Sequence, residues 1–71
     1  MQFENQNTKT KERILRLKEV KDRTGLSRST IYLNINQGTF PKSISLGVRS
    51  VGWLESDINA WIEERIEESR S

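Results

Sequence analysis

Seventy-one residues allow one domain with one modest core, because a chain this short buries only roughly 60% of the surface its unfolded form exposes. The sequence has no cysteine and no histidine, which removes disulfides, thiolate metal sites, the commonest zinc ligand and the commonest general base. The net charge of +2 conceals a split: residues 1–54 carry ten Lys or Arg against four acids, while residues 55–71 carry two against six.

Residues 1–12, MQFENQNTKTKE, hold too little apolar surface to offset the entropy of ordering a backbone and are expected to form a flexible polar tail. They lack the apolar stretch of a signal peptide, and no run in the chain approaches the roughly 20 apolar residues that cross a bilayer, so a cytoplasmic location without membrane contact is expected. Arg13-Ile14-Leu15-Arg16-Leu17 alternates in part and is compatible with a strand.

Leu17 to Thr24 then fits a short helix, with Leu17 and Val20 on one face and Gly25 placed for a left-handed cap. Two residues later Ser27 can accept a backbone N–H and start a second helix, Arg28 to Gln37, ended by Gly38. Leu26 lies at the spacing of a hydrophobic staple to Ile31. Helix, Gly-Leu-Ser turn, helix is the sequence form of a helix-turn-helix. At 100° per residue Ile31 and Ile35 face the core, so Ser29, Tyr32, Leu33 and Asn36 are expected to point away from it.

Phe40-Pro41 breaks the helical pattern. Ser43-Ile44-Ser45-Leu46 alternates with period two, Gly47 to Ser50 supplies a turn, and Val51 and Trp53 share a face, which together predict a hairpin with Arg49 at or near its tip. From Glu55 to about Arg70, Ile58, Trp61, Ile62 and Ile66 form one stripe of an amphipathic helix, with Ser56 as a cap and Asp57 suited to the positive helix end. Trp53 and Trp61 read as core residues. The expected fold class is therefore α+β, mainly helical: a small winged helix-turn-helix over residues 13–71, with a two-stranded hairpin wing and a C-terminal amphipathic helix.

In a helix-turn-helix the second helix enters the major groove and its first residues meet base edges. Arg28 can bond guanine bidentately or clamp a phosphate, Ser29 is a short donor and acceptor, and Asn36 can pair with adenine. Ser27 and Thr30 read first as capping groups, and Tyr32 either reaches a phosphate through its hydroxyl or packs its ring on the hairpin. Leu33 shares the outward face. Lys42 and Arg49 are the only charges between Arg28 and Glu55, so the hairpin is uniformly positive, as phosphate attraction requires. The carboxylates of the last helix have no nucleophile, metal ligand or Gly-rich phosphate loop beside them, so no catalytic, metal or cofactor site is expected. A protein-interaction adaptor using Leu33 and the acidic last helix is the alternative class.

The run Arg13 to Val20, the block Thr24-Gly25-Leu26-Ser27-Arg28-Ser29-Thr30-Ile31-Tyr32, then Gly38, Phe40-Pro41-Lys42, Leu46-Gly47, Arg49, Val51 to Ser56 and Ala60-Trp61-Ile62 together resemble the AlpA family of phage and prophage regulators over about residues 13–66. The resemblance implies an excisionase-like, MerR-type winged helix that regulates transcription or excision on an integrated element. Double-stranded DNA is the implied partner, with integrase or RNA polymerase as protein partners and self-association on DNA. It further implies that Arg28, Ser29, Thr30 and Tyr32 lie on the recognition helix, and Lys42 and Arg49 on the wing. Members commonly carry basic residues where this chain has Leu33 and Asn36.

Overall fold

The computed structural model describes residues 11–70. In chain order the elements are β1 (Ile14–Leu15), α1 (Leu17–Thr24), α2 (Arg28–Gln37), β2 (Ile44–Gly47), β3 (Ser50–Leu54) and α3 (Glu55–Arg70). The strands form an antiparallel sheet in the order β1-β3-β2, and the fold is the small winged helix-turn-helix expected. Residues 1–10, most of the anticipated tail, lie outside the described residues.

Local chemistry accounts for the helix-turn-helix. Gly25 closes α1 in the left-handed region and donates its N–H to the Lys21 carbonyl. The Ser27 hydroxyl oxygen accepts the Thr30 N–H at 3.2 Å, and Gly38 ends α2, again in the left-handed region. These are the caps the residue types prefer. Between the two helices the Thr24 hydroxyl donates to the Val20 carbonyl at 2.8 Å and accepts the Leu26 N–H at 3.2 Å, which fixes the turn.

The apolar stripes converge on a core of Leu15, Val20, Ile31, Phe40, Trp53 and Ile58, with Leu17, Leu26, Tyr32, Ile35, Val51, Trp61 and Ile62 packed around it. Leu15 pairs with Trp53 across β1 and β3, and Ser45 with Val51 across β2 and β3. One sheet face therefore lies against the helices. Both indoles also hold a loop. Trp53 Nε1 donates to the Pro41 carbonyl at 3.1 Å, and Trp61 Nε1 donates to the Thr39 carbonyl at 2.9 Å. Phe40, between those two residues, meets the Trp61 ring edge-on at 5.0 Å between centroids. The connection from α2 to β2 is thus anchored on both sides.

Two expectations about the helix ends need correcting. Glu12, assigned on composition to the tail, is bound: its carboxylate accepts the Ser56 N–H and the Ser56 hydroxyl, each at 2.9 Å. Ser56 therefore lies inside the first turn of α3 as a donor, and the cap is a carboxylate from 44 residues earlier. A negative group at the positive end of a helix is favoured by charge as well as by the hydrogen bonds.

The Ser56 backbone bond, then its hydroxyl bond, holds the Glu12 pKa below its ordinary 4.5. Because the folded value is depressed, the stabilisation is complete above the unfolded pKa and is lost as the pH falls through the lower folded value. Urea titrations from neutral pH to below 4.5 should therefore show a loss of stability on acidification that is smaller in Glu12→Gln. An identical pH profile in the variant would show that the cap contributes nothing.

Ion pairs tie the N-terminal strand and first helix to α3. The Glu55 carboxylate accepts from Arg13 at 3.2 Å and from Arg23 at 3.3 Å. Arg13 also reaches Glu19 at 3.3 Å, and Arg23 also bonds the Asn59 side-chain oxygen. Lys18 pairs with Asp22 along α1. Each pair is at least partly solvent-exposed and individually worth little, yet the carboxylate shared by Arg13 and Arg23 makes their pairs one network.

Candidate nucleic-acid interface

The network divides the basic residues into two groups. Arg13, Lys18, Arg23 and Arg65 face carboxylates within the molecule. Lys11, Arg16, Lys21, Arg28, Lys42, Arg49 and Arg70 have no carboxylate partner among the described residues, and all seven are exposed. The surplus of positive charge in residues 1–54 is therefore concentrated on fewer side chains than composition indicates. Only unpartnered cations attract phosphate without first breaking an internal contact.

Arg28 begins α2 and is its only charged residue. Its guanidinium lies 5.1 Å from the centre of the Tyr32 ring, one turn on. Tyr32 in turn meets the Trp53 ring at 6.2 Å between centroids with planes inclined at 63°. The outward orientation expected for Tyr32 is thus corrected. It is half-buried with its ring on β3, because the fully buried Trp53 offers an aromatic edge there. Stacking on Tyr32 limits the freedom of Arg28, which lowers the entropy lost when the guanidinium binds.

Ser29 is exposed beside Arg28, and Asn36 and Leu33 are exposed two turns and one turn further along, Leu33 at 54%. Thr30 is half-buried, and its hydroxyl accepts from the Ser27 hydroxyl at 3.0 Å. It serves the cap. The accessible face of α2 consequently offers one cation, two short polar side chains and one leucine, with no acid on the helix to repel a phosphate.

Lys42 follows the loop held by both indoles, so its backbone is positioned although its side chain is exposed. β2 and β3 are joined by the two-residue turn Val48-Arg49, with Gly47 opposite Ser50 and a register irregularity between Ser45 and Gly47. Arg49 has φ +61°, the one non-glycine residue with positive φ among those described. Its neighbour Val48 is 89% exposed. Positive φ at the second central residue alone is the pattern of a type II turn, which favours glycine there, and the left-handed backbone costs a non-glycine residue about 1–2 kcal/mol.

A charged side chain at a site that favours glycine sets stability against binding. Arg49→Gly should leave the unfolding free energy unchanged or higher by about 1 kcal/mol, while weakening the attraction of the hairpin for a polyanion such as duplex DNA. Parallel melts and binding isotherms check this, and a clear loss of stability would show that the turn is not strained.

The sequence-predicted set therefore separates. Arg28, Ser29 and Asn36 are accessible on α2, Lys42 and Arg49 are accessible on the hairpin, and Thr30 and Tyr32 are turned to structural contacts. The two elements meet at the Tyr32–Trp53 contact. Sequence reasoning did not single out Arg16 and Lys21, which also lack a carboxylate partner among the described residues, a property of the folded chain.

Residues 13–66 match the family model described as prophage CP4-57 regulatory protein (AlpA). The chain is 53% identical over 57 residues to the uncharacterized protein ORF88 of Enterobacteria phage P4, an alignment that covers 80% of this chain and 65% of that relative. It is 45% identical over 65 residues to the DNA-binding transcriptional activator AlpA of Escherichia coli K12, covering 83% of this chain and 93% of that relative. The chain thus spans slightly under two thirds of the phage P4 relative and nearly all of the E. coli one.

Proposed function

The chain belongs to the AlpA family of prophage regulatory proteins, and on that premise we propose that it is a sequence-specific regulator of an integrated mobile element, reading duplex DNA with α2 and the β2–β3 wing. The observation that carries this reading is the placement of acid-free cations on both elements. Arg28 opens α2, Lys42 precedes the hairpin and Arg49 sits in its turn. The relative from E. coli is named a DNA-binding transcriptional activator, which accords with this use of the surface.

In the proposed complex α2 lies in the major groove, with Arg28 on a guanine edge or phosphate and Ser29 beside it. Asn36 reads further along the helix, and Leu33 offers an apolar contact to a thymine methyl. The wing sets Arg49 against the neighbouring groove and Lys42 against the backbone. Thr30 and Tyr32 support this surface, one by closing the helix cap and the other by holding Arg28.

A duplex selected by the protein from a random-sequence pool provides the test. Three phosphate contacts give a slope of log affinity on log salt of about −2.7, so a fourfold rise in salt should weaken binding about 40-fold or more. A slope near zero, or no selected sequence, sinks the reading and leaves the interaction adaptor in its place. Footprints within the element's own locus then separate the two regulatory roles. Protection over a promoter points to RNA polymerase as the partner, and protection over an attachment site points to an integrase. Binding stoichiometry on the same fragments reports self-association.

A further inference from the structure

We infer that Arg16 is a second phosphate-binding residue, built into the open edge of β3 at the base of the wing; this rests on the DNA-binding reading above. Ile14 faces Leu54 and Leu15 faces Trp53, and the Glu55 N–H donates to the Arg13 carbonyl at 2.8 Å. Continued by two residues, this register would set Leu17 opposite Val51. Leu17, however, begins α1.

Backbone groups of alternate strand residues point to opposite neighbours. Those of Glu55, Trp53 and Val51 turn toward β1, which ends before it reaches Val51. The Val51 carbonyl therefore has no main-chain donor on that side. Arg16 supplies the donor, its Nε reaching Val51 O at 3.0 Å.

That single bond uses one of the five N–H donors of a guanidinium. The remaining four, on the two terminal nitrogens, make no hydrogen bond or ion pair among the described residues, and the side chain is exposed. Glu19, the nearest acid in sequence, has its carboxylate engaged by the Arg16 backbone N–H at 3.0 Å and by the Arg13 guanidinium at 3.3 Å.

The planar group is held at one edge, carries an uncompensated charge and presents a two-nitrogen fork, which is the geometry that bonds two phosphate oxygens. Val51 is two residues from Arg49. Arg28 reaches the same strand through Tyr32 and Trp53. Three arginines are thus organised by β3, and the ligand suited to Arg16 is a DNA backbone phosphate adjoining the wing.

The test uses the full chain and a duplex it selects from a random pool, with affinity measured across salt and ethylation interference used to map individual phosphates. Arg16→Gln keeps a donor for the Val51 carbonyl and removes the charge. It should melt like the wild type, bind about 5–10-fold more weakly, lose interference at one phosphate and reduce the salt slope by about 0.9. Arg16→Lys keeps the charge but cannot serve the carbonyl and a phosphate together, so it should retain the slope while losing affinity. If Arg16→Gln does not fold, retention of the wild-type slope and interference pattern by Arg16→Lys still supports the site, and loss of either overturns it. A folded Arg16→Gln with unchanged slope and interference overturns the inference, as does a loss of affinity with no change in slope, which marks a purely structural role. Failure of the wild type itself to bind would remove the DNA reading before any variant is compared.

Discussion

Replacing Trp53 by alanine is expected to leave the domain largely unfolded at physiological temperature. Trp53 is fully buried at the centre of the core and is paired with Leu15 across the sheet. Truncation of a buried Trp costs about 3–5 kcal/mol through lost transfer energy and the cavity left behind. Loss of the bond to the Pro41 carbonyl adds about 1 kcal/mol. A domain of roughly 60 ordered residues has only about 3–9 kcal/mol in total, at about 0.05–0.15 kcal/mol per residue.

The consequence extends to the interface. Trp53 anchors the loop that carries Lys42 and supports the Tyr32 ring on which Arg28 lies. Trp53→Phe, which keeps an aromatic ring but no N–H, should be less damaging. Circular dichroism on heating measures both variants. A Trp53→Ala midpoint within a few degrees of the wild type would show that the indole is not the core's keystone.

The second large effect is expected from Arg28→Ala. Arg28 is the sole charge on α2 and is held by Tyr32. A side chain that makes a bidentate base contact contributes about 1–3 kcal/mol of discrimination, so affinity for the preferred duplex should fall about 5–150-fold while weak binding to unrelated DNA changes far less. Arg28→Lys should not restore the preference, since a lysine has neither the planar fork nor the same stacking on the ring. Competition of selected against random duplex at fixed salt gives the ratio directly. Equal weakening on both duplexes would reassign Arg28 to a phosphate.

The contrast with Arg16 and Arg49 follows from position. Those two arginines are carried by the sheet, and their loss should act mainly through phosphate attraction, lowering binding to all sequences alike. With Arg28 the sole charge on α2, a larger share of that attraction falls on the sheet side of the proposed interface.

Much of the fold was legible because its signals are local. Gly25, Ser27 and Gly38 define the ends of α1 and α2 through bonds within five residues, and the alternation through Ser43–Leu46 and Val51–Trp53 marks a hairpin. Within the proposed site, exposure was legible where it depends only on helix phase, as for Arg28, Ser29 and Asn36.

It was not legible where distant groups decide. Tyr32 turns inward because Trp53, 21 positions on, lies beneath it. Arg13 and Arg23 are drawn off the list of available cations by Glu55, and Glu12 is ordered by Ser56. A periodicity argument places a residue on a face. It cannot tell which charge on that face is already answered from across the molecule.

The left-handed turn at Arg49 constrains how this wing can change over generations. Of the residue types that adopt that backbone most readily, Gly, Asn, Asp and His, only His can be positive, and only below a pKa of about 6.5, while Lys and Arg must tolerate the strain. At neutral pH none of the twenty residues satisfies both demands at position 49. A scan of all substitutions there should accordingly give opposite rankings for folding and for binding, and drift toward a more stable turn would pass through proteins that hold their shape while losing their grip on DNA.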